Sequence, residues 1–190
     1  MINSLIKQEF SFSETKEKFE KRLKKELQFF GVKTHLRDAC EYALLNGGKR
    51  IRPLIVFITA QALNKNSDVF DAALSVEYFH TASLIADDLP CMDNDDFRRD
   101  KPALHKVFGE ATALLASYAL ITAAFEKVYE SAKAHTELCP LALYEASKAA
   151  GIHGATGGQY FDLYSKELSL ENIKTIIEKK TVRLFEIAFL

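Results

Sequence analysis

Five aspartates fall within ten residues, at Asp87, Asp88, Asp93, Asp95 and Asp96, and Arg98, Arg99 and Lys101 follow at once. Carboxylates crowded this closely repel one another unless a cation joins them, and the bases beside them match phosphate oxygens. Asp87 and Asp88 close a run with helical apolar spacing from Val76 to Leu89, and Pro90 pushes the residue before it out of helical geometry. Two carboxylates in the last turn of a helix meet the negative end of its dipole, a second reason to expect a bound cation. With no His or thiolate cluster nearby, the donors favour a hard ion. Mg²⁺ characteristically shares its shell between one or two carboxylates and substrate phosphates. Two other readings stay open on these residues alone. One is a solvated acidic turn beside a solvated basic one; the other is calcium, although the spacing lacks the glycine and closing Glu of an EF-hand loop.

A second basic set stands upstream. Gly47-Gly48-Lys49-Arg50-Ile51-Arg52-Pro53 separates two helical patterns, with glycines ending one helix and a proline in the first turn of the next. Backbone and basic side chains there can face an anion at the new helix's N-terminus. His80 lies seven residues before Asp87, on the same helical face two turns back. Taken singly, these features have plain structural readings: a lone His on a half-apolar helix is ordinary, Gly157-Gly158-Gln159 can be a helix-packing contact, and Glu178-Lys179-Lys180 can be a solvated face.

Taken together, Gly48-Lys49-Arg50 with Arg52-Pro53, His80, Asp87-Asp88-x-x-x-x-Asp93 with Arg98-Arg99, Gly158-Gln159-x-x-Asp162 and Lys180-Thr181 resemble the trans-isoprenyl diphosphate synthases. Within that family the sequence is most similar to bacterial and plant geranylgeranyl and farnesyl diphosphate synthases, from about Ala39 to Thr181. The resemblance implies that Asp87, Asp88 and Asp93 bind Mg²⁺ ions bridging to an allylic diphosphate, which Arg98 and Lys180 also grip. It implies that Lys49, Arg52, His80 and Arg99 hold isopentenyl diphosphate, that Gln159 and Asp162 line the allylic side, and that Thr181 lies close to a developing cation. The implied reaction is ionisation of the allylic diphosphate, attack by the isopentenyl double bond and loss of a proton. Residue chemistry agrees with it: a departing diphosphate gathers charge that fixed cations stabilise more in the transition state than before it. Two diphosphates need two cation sets, and apolar helix faces between them would keep a hydrocarbon tunnel dry. By the same resemblance Ala82 lies on the wall of the chain-elongation pocket. Its small size favours a twenty-carbon or longer product, while Phe79, one turn from Ser83, is placed to close the tunnel.

The sequence departs from the family pattern in places. Asp100 stands where glycine usually follows the paired arginines, Ala103 near a usual threonine, and Val182 where a small residue is common. The family's second aspartate-rich motif is not present, and the apolar run from Thr181 to Leu190 reads as a helix still in progress. The expectation is therefore a single domain over residues 1–190 corresponding to the N-terminal two-thirds of a synthase. The rival to an active prenyltransferase is a non-catalytic fragment or relative acting as a binding subunit. A terpene cyclase would not need Lys49 and Arg52 as a second diphosphate grip.

The 190 residues are 48% hydrophobic and 27% charged, which fits one folded domain able to bury a core. A net charge of −1 offers no long-range pull on nucleic acid or an anionic membrane. Cys40, Cys91 and Cys139 form no CxxC pair and read as reduced thiols of a cytoplasmic protein. Lys7 and Glu9 precede any apolar run, so neither a signal peptide nor a membrane span is expected. Periodicity predicts an all-α antiparallel bundle, the isoprenoid synthase type by resemblance, with a Phe19, Leu23, Leu27, Phe30 stripe on a mostly solvated first helix from Lys16 to Glu26. Further helices are expected over Leu36 to Leu45, Pro53 to Leu63, Val69 to Leu89, Ala103 to Ala132, Pro140 to Leu163 and Leu170 onward. A homodimer is the expected assembly, following the family.

Overall fold

The computed structural model describes residues 10–63, 67–165 and 169–189, so Lys7, Glu9 and Leu190 lie outside the described residues. The chain is helical nearly throughout: α1 (Phe12–Glu26), α2 (His35–Leu44), α3 (Ile51–Ala62), α4 (Phe70–Asp87), a hairpin of β1 (Phe97–Arg98) and β2 (Lys101–Pro102), then α5 (Leu104–Phe108), α6 (Glu110–Ala132), α7 (Cys139–Ala150), α8 (Ala155–Tyr164), α9 (Leu170–Ile176) and α10 (Arg183–Glu186). A π-helical turn, Ile177–Val182, joins α9 to α10.

α4 is the central element. It buries Ala73, Leu74, Val76, Tyr78, Phe79, Ala82 and Ile85, apolar on nearly every side, as a helix surrounded by others must be. Its chief neighbour is α6, whose Ala113, Ala116, Ser117 and Ala124 are small enough to let the two backbones approach. Ser117 Oγ meets its own need for a partner by donating to the carbonyl of Ala82 at 3.0 Å. α1 covers this core with Phe19 and Leu23, and the Phe19 ring packs with Phe57 and Phe70. Side-chain caps fix several helix starts: Ser11 for α1, Thr34 for α2 and Ser169 for α9.

Four expectations need correction. The run from Ala103 to Ala132 breaks at Gly109, whose φ of 82° suits glycine alone, giving α5 and α6. The run from Pro140 to Leu163 breaks over Gly151–Gly154, and the segment after Leu170 passes through the π turn. The hairpin is a strand pair in a chain expected to have none; Arg99 and Asp100 both sit at positive φ, 54° and 64°, the demand of a type I′ turn. α6 spans 23 residues and by length and composition alone is apolar enough to cross a membrane, a test that a core helix also passes. Here one face of it is committed to the core through Leu120 and Val128.

Candidate active site

Asp87 ends α4 and Asp88 caps it, because Pro90 stops the helix just beyond. The chain then turns sharply, the amide of Asp93 donating to the carbonyl of Asp87 at 2.8 Å. The two aspartates meet different partners. Asp88 is buried and takes Arg98 in a forked pair, Nε lying 2.9 Å and 3.1 Å from its two oxygens with a terminal nitrogen in contact as well. Asp87 faces a cavity, and burial, together with Asp93 and Asp88, pushes its carboxyl up to about 6 against the pull of Lys180. Lys180 Nζ lies 3.7 Å from Asp87 and 2.7 Å from Asp162, so one ammonium neutralises carboxylates from α4 and α8.

The hairpin explains how adjacent arginines reach different places. Arg98 ends β1, whereas Arg99 opens the turn at positive φ, so the two side chains leave the backbone in different directions. Arg98 turns to Asp88, and Arg99 turns to the glycine turn, donating to the carbonyl of Gly47 and lying against Gly48 so closely that a side chain at Gly48 would strike its guanidinium. Asn46, donating to the Arg98 carbonyl at 3.1 Å, and Tyr42, donating to the Pro102 carbonyl at 2.9 Å, pin the hairpin to α2.

Arg99 belongs to a nest of cations around α4. Arg52 rests its guanidinium 4.2 Å above the Phe185 ring and leaves Nε buried without a hydrogen-bond partner. Burial and the neighbouring Arg99 press it below the ordinary arginine range, offset in part by Glu77. His80 is driven down to about 3 by burial and by the charges of Arg52, Arg99, Arg50 and Arg98, so it stands neutral among four arginines. Arg50 is fully buried, joining Glu20 Oε1 at 2.8 Å, the Leu44 carbonyl at 2.6 Å and Glu77. Glu77, whose carboxyl burial pushes up against the attraction of Arg50, is the carboxylate of this nest on α4.

A cavity of about 650 Å³ opens between the two sets. Arg52 and His80 line it on one side, and Asp87, Gln159, Lys180 and Thr181 on the other. Phe79, Ser83, Leu84, Ile121, Leu163 and Leu184 make the apolar wall. Both polar ends of the Gln159 amide are buried without a partner, so the side chain offers a donor and an acceptor at the cavity wall. Lys49 is not brought to this cavity; it is exposed and lines a separate groove with Ile51, Leu54 and Ile58. Ala82 does not line it either. It is fully buried at the α4–α6 contact, so it backs the wall that Phe79 and Ser83 present. Sequence reasoning passed over Arg50, Glu77 and Glu20 as site components, and the available signal was a charged Glu77 within the short run Val76–Phe79, whose other residues are hydrophobic.

Asp87, Asp88 and Asp93 do not converge as a ready cage, and among the described residues no three metal-ligating side chains do. The donor chemistry nevertheless fits Mg²⁺: oxygen ligands only, a half-buried Asp87 whose ionisation is resisted until a cation arrives, and phosphate-matching bases around it.

An all-helical bundle with paired aspartates at the end of a central helix defines the isoprenyl synthase fold. The chain belongs to the polyprenyl synthetase family, whose model matches residues 33–190. It is 40% identical over 173 residues to the farnesyl diphosphate synthase of Bacillus subtilis, covering 86% of this chain and 58% of that protein. Over 161 residues it is 42% identical to the large subunit 1 of a heterodimeric geranylgeranyl pyrophosphate synthase of Arabidopsis thaliana, covering 80% of this chain and 43% of that one. Among solved structures, a geranyltransferase from Legionella pneumophila superposes with a TM-score of 0.89 at 32% identity, over 94% of this chain and 65% of that one. The chain thus spans about 60% or less of the length of these curated relatives.

Proposed function

We propose that this chain carries the substrate-binding and ionising site of a prenyltransferase that condenses isopentenyl diphosphate with an allylic diphosphate, giving geranylgeranyl or farnesyl diphosphate. The observation that supports this best is one cavity with an aspartate–lysine mouth on one side, an arginine–histidine nest on the other and an apolar wall between. The allylic diphosphate lies at Asp87, Lys180 and Arg98, and Asp87, Asp88 and Asp93 would hold Mg²⁺ there. Bound Mg²⁺ supplies positive charge for the departing diphosphate. Lys180 and Arg98 add fixed charge there, so bond breaking is stabilised more than binding. Arg52, Arg99 and His80 hold isopentenyl diphosphate, with Lys49 reaching in from outside the cavity. The hydrocarbon chains lie along Phe79, Ser83 and Leu84, where exclusion of water protects a carbocation, and Thr181 and Gln159 face it. Ala82 acts from behind that wall. A cytoplasmic homodimer goes with this reading.

A second reading, a non-catalytic partner subunit, is favoured by the apolar side chains left exposed on α6 and α7: Leu114, Leu115, Tyr118, Leu141 and Tyr144. Incubation with labelled isopentenyl diphosphate, five-, ten- and fifteen-carbon allylic diphosphates and Mg²⁺ separates the two. Elongated product supports the enzyme, and a folded protein that makes none supports the subunit.

A further inference from the structure

α8 and the π turn touch through bare backbone. A Cβ at Gly158 would lie 2.7 Å from Cα of Lys180 and 2.9 Å from the Lys179 carbonyl carbon, with the Lys180 nitrogen closer still. These are main-chain atoms, not the tip of a flexible side chain, so they cannot step aside locally. The approach occurs where the helix widens from α to π form, a rare geometry that collects at functional positions. One turn further along α8, Asp162 receives the Lys180 ammonium at 2.7 Å. The same helix therefore contacts the backbone of Lys180 through Gly158 and its charge through Asp162, while the ammonium also faces Asp87 of α4 at 3.7 Å.

We infer that Gly158 is a positioning residue: its lack of a side chain sets the spacing between α8 and the π turn that holds the Lys180 ammonium between Asp162 and Asp87. The inference rests on the proposed role of Lys180 at a diphosphate. A methyl group at Gly158 forces the two segments apart by about 1 Å, and errors of that size cost positioned sites on the order of 100-fold.

Gly157→Ala is the matched control, since a Cβ there meets the Ile152 carbonyl in the α7–α8 corner and not Lys180. The readouts on the full chain are the ¹⁵Nζ resonance of Lys180, assigned with Lys180→Arg, and the Kd for inorganic diphosphate with Mg²⁺. Gly158→Ala is expected to move the Nζ resonance towards that of a solvated lysine and weaken diphosphate binding tenfold or more. Gly157→Ala, compared at matched loss of thermal stability, is expected to leave the resonance in place. Equal responses from the two variants, or an unmoved resonance in Gly158→Ala, overturn the inference. If Gly158→Ala does not fold, Asp162→Asn decides: an unmoved Nζ resonance there means that α8 does not hold Lys180. If the unaltered protein binds no diphosphate, the functional reading fails, and the resonance comparison still judges Gly158.

Discussion

Arg98 and Arg99 are adjacent in the chain and serve opposite sides of it: one forks onto Asp88 at the end of α4, the other reaches back to the carbonyl of Gly47. The change from β1 to the I′ turn falls between them and makes this divergence possible, and each arm has its own consequence.

Arg98→Met strands Asp88, a buried carboxylate, without its partner. Removing one member of such a pair costs about 2–3 kcal/mol. Thermal denaturation should show the loss, and Mg²⁺ should recover part of it by replacing the missing positive charge. Identical melting with and without Mg²⁺ would count against Asp88 as a metal ligand.

Asp100 holds a left-handed conformation that a side chain resists, at φ 64°. Asp100→Gly removes that strain and is expected to stabilise the fold by about 1 kcal/mol with the hairpin intact. A lower denaturant midpoint would mean that the aspartate supplies something the turn needs.

His80 provides the pH dependence. Its folded pKa lies near 3, against about 6.5 in an unfolded chain, so in that interval only the unfolded state takes up the proton. The His80 contribution then rises with pH, and is lost as pH falls below about 6.5, by about 1–2 kcal/mol at pH 5, while Asp87, with its carboxyl raised to about 6, contributes in the opposite sense. His80→Gln should flatten this limb in urea titrations at pH 5 and pH 7. Unchanged pH dependence would show that the ring is not held neutral.

Phe79 packs edge-on against Phe125, with ring centroids 5.0 Å apart, and also lines the cavity. Phe79→Leu opens that end, and product analysis should show a gain of one five-carbon unit. Ala82→Tyr overfills a fully buried position, costing about 1–3 kcal/mol, and should shorten the product by pushing the wall inward. An unchanged product from both would remove this wall as the length gauge.

Much of this was legible in the residues. Pro90 marked the end of α4, and helical periodicity put His80 on the face of Asp87, whereas the roles of Arg98 and Arg52 were read from the family resemblance and not from spacing. What escaped notice had weak local signals. Arg99-Asp100 is not the Asn-Gly or Asp-Gly pair that announces an I′ turn, and Gly109 sat inside an apolar run that reads as one helix. Ala82 shares α4 with Phe79 and Ser83, yet helical phase turns it to α6, a distinction that only the neighbouring helix decides. Lys49 looked equivalent to Arg52, three residues on, until the turn placed it outside the cavity.

Arg50 gathers Glu20 of α1, the end of α2, the start of α3 and Glu77 of α4 at a single guanidinium. Segments tied at one buried point cannot fray independently, so the first four helices should open to solvent exchange as one cooperative block. The integrity of the first helix, remote from any proposed chemistry, then sets how long the arginine nest survives in working order.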